Sequence, residues 1–80
     1  MKIPAIKKLV EAYEVTTLQN AEATLLEGEP LGIEVEGSDE GEQLTHIMAA
    51  IWVKQQMESN NIEFMEALRA YTKRVRDSIS

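Results

Sequence analysis

An 80-residue chain with a net charge of -6 and a pI near 4.7 makes one small domain. Its surplus of acid argues against general binding to nucleic acid or anionic membranes, because attraction to phosphate needs an excess of Lys and Arg. There is no cysteine, which excludes a disulfide framework and a thiolate zinc site.

A domain this small buries only about 60% of the surface its unfolded chain exposes, so sharing core with a second copy is the usual remaining route to stability. The opening Met1-Lys2-Ile3-Pro4 lacks the long apolar run of a signal peptide. The longest apolar run, from Ile47 to Val53, falls far short of the ~20 residues that span a bilayer. The expectation is a cytoplasmic protein with no membrane association. Charge is unevenly spread: residues 1–42 carry net -7 and residues 43–80 net +1, with seven acids and no base from Glu27 to Glu42. Such asymmetry makes steering of an oppositely charged partner conceivable.

Pro4 suits the first turn of a helix, where its missing N–H costs nothing, and Ile6, Leu9, Val10 and Tyr13 recur at helical spacing behind it. This predicts a first helix over residues 4–13, with Lys7, Lys8 and Glu11 solvated. Thr16-Thr17-Leu18-Gln19 reads as a capping box. A second helix over 16–27 then buries the stripe Leu18, Ala21 and Leu25, with Leu26 as a further candidate member, and stops at Gly28 and Pro30.

From Leu31 to Glu36 the period changes to two, with Leu31, Ile33 and Val35 alternating with Gly32, Glu34 and Glu36. A lone strand cannot satisfy its own backbone. The segment is either an extended loop laying three apolar side chains on the bundle or a strand paired with a second chain. Like charges at Glu34 and Glu36 weigh against the pairing.

Asp39-Glu40-Gly41-Glu42 opens a third helix over 39–59. Clustered carboxylates can hold hard cations, but the spacing lacks the ligand pattern of an EF-hand. Capping accounts for the residues better: Ser38 or Asp39 is the N-cap, Glu42 completes the box, and the acids complement the positive helix end.

Because Ile47 to Val53 is apolar around its whole circumference, this helix belongs at the centre of the fold. Leu44, Ile47, Met48, Ile51 and Trp52 form its main apolar face, with Trp52, at the centre of the apolar run, expected to pack against the stripe of the helix that follows. Ala49, Ala50, Val53 and Met57 form a second, smaller-featured face. Either the two short helices cover that second face or a symmetry-related third helix does, which makes its four residues the candidate dimer interface. Glu42 and His46 sit one turn apart, where they can share a hydrogen bond or flank a metal ion. One histidine and one glutamate make half a site, and a salt-bridged surface histidine is the plainer expectation. No nucleophile is placed by motif for a catalytic triad.

Asn60 and Asn61 form a turn, one of them suited to a left-handed C-cap and Asn60 with Glu63 to a further capping box. A fourth helix over 62–79 follows, with the stripe Phe64, Leu68, Tyr71, Val75 and Ile79 facing the third. Opposite it, Arg69, Lys73 and Arg76 line up as a basic stripe. Positive charge belongs near a helix C-terminus, so a solvated face is the simplest reading. A contact with the acidic segment Glu27 to Glu42 of the same or a neighbouring chain is the other.

The opening Met1-Lys2-Ile3-Pro4-Ala5-Ile6-Lys7-Lys8-Leu9 and the closing Ala67-Leu68, Lys73-Arg74-Val75 and Asp77-Ser78-Ile79-Ser80 resemble a family of short, uncharacterised bacterial proteins, a domain of unknown function. The acidic start and Ala-rich middle of the third helix are also similar, whereas residues 27–37 match less well. The resemblance implies a bacterial cytosolic protein and supplies no activity, cofactor or site residue.

The sequence therefore predicts an all-α, four-helix domain: two short N-terminal helices packed on a long antiparallel helical hairpin, with an extended acidic loop between the halves. The expected function is that of a non-enzymatic interaction or structural protein, a homodimer without cofactor. The alternative is a small-molecule or divalent-metal binder using Glu42, His46 and neighbouring acids.

Overall fold

A computed structural model describes the backbone of residues 2–79 and the side chains of residues 2–78. The chain forms α1 (Ile3–Ala12), α2 (Val15–Leu26), α3 (Glu40–Asn60) and α4 (Phe64–Ile79), with no strand among the described residues. Each of the other three helices packs principally on α3, as a helix that is apolar around its circumference requires. At 1.5 Å per residue α3 is about 30 Å long, matching the longest dimension of the molecule, 32 Å. The shortest, 19 Å, leaves room for two helix layers at the usual 8–10 Å spacing.

The two faces of α3 exchange the roles expected of them. Ala49, Ala50 and Val53 are completely buried, beside Ile6, Leu9 and Val10 of α1 and Leu18, Ala21 and Leu25 of α2. Small side chains let two helices approach one face, which closes that face within a single chain. Ala49, Ala50 and Val53 are therefore core rather than a dimer interface, and Met57 is half-buried against the same cluster. On the larger-featured face only Ile47 is fully buried. Leu44, Ile51 and Trp52 are half-buried and Met48 is 49% exposed. A single helix, α4, covers that face, and one helix is too narrow for five bulky residues. Trp52 accordingly lies at the core's edge and not at its centre.

Chain punctuation explains the boundaries. Helix α2 begins at Val15 behind Glu14, with no side-chain cap, so the Thr16–Gln19 box does not form. Its end is a Schellman turn: Gly28 takes φ +77°, its N–H reaches the Leu25 carbonyl, and the Glu29 N–H reaches Thr24, satisfying carbonyls the helix would leave bare.

Helix α3 starts where Asp39 Oδ1 accepts from the Glu42 N–H at 2.8 Å. The Glu42 carboxylate returns to the Ser38 N–H at 3.1 Å, one residue earlier than in the usual box. Asn61 takes the left-handed C-cap at φ 53°. Asn60 remains helical and its side chain binds Gln56, so the Asn60–Glu63 box is absent and α4 starts two residues later than its periodicity suggested.

Between α2 and α3 the chain forms a loop without regular secondary structure, bent at Gly32 and Ile33. Val35 is buried, and Leu31 and Ile33 pack on the core from the half-buried shell. The loop is pinned where Gln43 Nε2 donates to the Val35 carbonyl at 3.3 Å. Close by, a Cβ on Gly37 would stand 2.7 Å from Gln43 Cγ and 2.9 Å from the Gln43 nitrogen, so only glycine lets the chain turn this tightly onto α3.

Candidate interaction surface

His46 and Glu42 do not converge on a site. His46 is fully buried. Its Nδ1 lies 2.7 Å from the Glu36 carbonyl and its Nε2 2.9 Å from the Lys2 N–H. A carbonyl only accepts and a backbone N–H only donates, so the ring is the Nδ1–H tautomer with both nitrogens engaged. It neither makes a salt bridge nor sits at the surface, contrary to expectation. Instead it ties the start of α1 and the end of the acidic loop to α3. Both ring nitrogens of His46 are engaged, so the imidazole has no lone pair free for a cation, and Glu42 Oε1 accepts from the Ser38 N–H. Among the described residues no group of three or more His, Asp or Glu is placed to hold a metal ion.

A second buried anchor has no sequence signal. Lys54 Nζ donates to the Val10 carbonyl at 2.8 Å and the Tyr13 carbonyl at 2.5 Å. A cation there satisfies the open carbonyls at the C-terminus of α1 and meets its negative dipole end. Both anchors join groups more than 40 residues apart, beyond the reach of any local motif.

Arg69, Lys73 and Arg76 are all exposed, and among the described residues none forms an ion pair. The one ion pair among the described residues, Lys8 with Glu34 at 3.6 Å, is itself largely solvated and adds little. Arg74, off the main stripe, places its guanidinium 5.9 Å from the Trp52 ring centre, and Trp52 meets Tyr71 at 5.7 Å in a tilted contact. The Trp52–Arg74 stacking is a cation–π contact at a half-exposed site, worth about 0.5–1 kcal/mol.

A broad concavity lies where the α4 stripe runs off the core. Leu68 is buried and Tyr71 half-buried, but Val75 is 36% exposed. The side chain of Ile79, the last of the expected stripe, lies outside the described residues. Met48, Trp52, Tyr71 and Val75 line an open groove of about 890 Å³, together with Ala70, Lys73, Arg74, Asp77 and Ser78. Sequence periodicity marked the four apolar residues as core. What periodicity does not contain is how far α4 reaches along α3.

No helix among the described residues is long and apolar enough to cross a membrane. No curated protein and no solved structure matches the chain. A family model described as a family of unknown function (DUF6952) matches residues 1–80. With its four helices arranged around α3 and the match running end to end, the chain belongs to the DUF6952 family of unknown function.

Proposed function

We propose that this is a non-enzymatic interaction protein, and that it self-associates through the groove between α3 and α4. The observation that carries the reading is that Met48 and Val75 remain exposed on stripes that elsewhere face the core, flooring a concave apolar surface with Trp52 and Tyr71. Apolar patches of this kind mark contact sites on small proteins, and an aromatic and Arg lining matches the composition of interface centres. A second copy is the occupant because an 80-residue domain without disulfide or metal gains from shared core. Lys73 and Arg74 on the groove walls also suit the strongly acidic surface every copy presents. The resemblance of the two chain ends to a bacterial family extends the proposal to a bacterial cytoplasmic setting.

The test is sedimentation across a concentration series. Wild type is expected to associate reversibly, a dimer being the smallest assembly, and Val75→Glu to remain a folded monomer over the same range. A wild type that stays monomeric at high micromolar concentration overturns the reading.

A further inference from the structure

We infer that the groove of one copy receives the C-terminal turn of α2 from the next, so that assembly is head-to-tail. This inference rests on the self-association reading above and names the surface that enters the groove.

Among the described residues Leu26, at 67%, is the most exposed of the large apolar side chains. It ends α2, and the Schellman turn through Gly28 fixes the chain behind it, so the side chain is presented on an ordered turn. Glu27 and Glu29 flank it, both exposed and neither in an ion pair among the described residues. This is an apolar knob with acidic shoulders. The groove is its complement, lined by apolar residues together with Lys73 and Arg74, two bases against the single acid Asp77. Leu26, Glu27 and Glu29 are not among the residues that line it.

Charge decides against the symmetric alternative. On α4 the groove extends from Ala70 to Ser78, centred near Arg74. A two-fold axis near Arg74 would set Arg74 beside its own copy, a like-charge contact that Asp77, the one acid in the groove lining, offsets only in part. The head-to-tail contact instead joins the half of the chain with net -7 to the half with net +1. Such a heterologous contact leaves a free knob at one end and a free groove at the other. The dimer is then the first member of a series that grows with concentration, unless the rotation closes a ring.

The experiment mixes two variants. Leu26→Asp removes the knob and Val75→Glu fills the groove, and circular dichroism establishes that each is folded. Each alone should lose association, its dissociation constant rising about tenfold or more as for a central interface residue. Mixed in equal amounts, the intact groove of the first and the intact knob of the second should form a one-to-one complex that does not grow further. If either variant fails to fold, Glu27→Lys and Lys73→Glu, which alter only exposed charges, replace them: each alone should lose association, and their mixture, in which both knob–groove pairs are again of opposite charge, should regain it. Association of the knob variant at wild-type strength overturns the head-to-tail assignment, as does a mixture that stays monomeric. In both cases a monomeric Val75→Glu leaves the groove reading standing, whereas a monomeric wild type removes both.

Discussion

His46 shows what one buried polar residue contributes when its partners are backbone. Replacing it with Ala leaves the Lys2 N–H and the Glu36 carbonyl without partners, and each stranded group costs about 1–3 kcal/mol. His46→Ala is therefore expected to lower stability by about 2–4 kcal/mol, read as a fall in the urea midpoint at unchanged slope. A loss under about 0.5 kcal/mol, typical of a surface change, would contradict the buried clasp. Nitrogen NMR should show the proton on Nδ1 and Nε2 bare. At Trp52 the edge position lowers the expected cost. Trp52→Ala should destabilise by about 2 kcal/mol, less than the 3–5 typical of a fully buried aromatic, whereas Ile47→Ala should cost at least as much despite its smaller side chain.

At the scale of elements, the helices follow from period and punctuation, and their partners do not. Apolar spacing located all four helices, and Gly28, Asp39 and Asn61 fixed three of their ends because each cap acts within a few residues. Of the missed ends, the Asn60 side chain binds Gln56 instead of capping, and at Thr16 the helix already begins one residue earlier, at Val15, without a side-chain cap.

The candidate site was less legible. Ala49, Ala50 and Val53 read equally well as a face for α1 and α2 or for another chain, since periodicity reports that a surface is apolar and not what covers it. Lys54 illustrates the same limit, because its stem and charge look like an ordinary solvated lysine until the end of α1 arrives beside it. Lys54→Met keeps the stem and removes the donor, and should loosen the α1–α2 junction at a cost of about 1.5–3 kcal/mol. Faster amide exchange concentrated in α1 would show it. Gly37→Ala should cost about 1–3 kcal/mol through its clash with the Gln43 backbone, with the loop rather than the helices giving way. A neutral result in thermal unfolding would mean that the close approach is not required.

For the whole molecule, the arrangement around α3 separates two kinds of apolar surface that look alike in sequence. The face toward α1 and α2 is closed within the chain, so Val53→Glu should unfold the protein, the expected result of an unpaired charge in a core. The face toward α4 remains open along Met48 and Val75, so Val75→Glu should leave the fold intact and change only association. Raising salt should weaken that association, because the acidic and basic surfaces attract over a Debye length that contracts from about 10 Å at 0.1 M to about 3 Å at 1 M.

The only tryptophan of the chain lines this groove, and it reports directly on whether the groove is the contact surface. The decisive measurement is acrylamide quenching of Trp52 fluorescence across a dilution series, read beside light scattering. Quenching is predicted to rise as the assemblies dissociate, and Val75→Glu to show the monomer's value at every concentration. Assemblies that form and dissolve while the quenching of Trp52 stays constant would contradict the assignment of this groove as the interface.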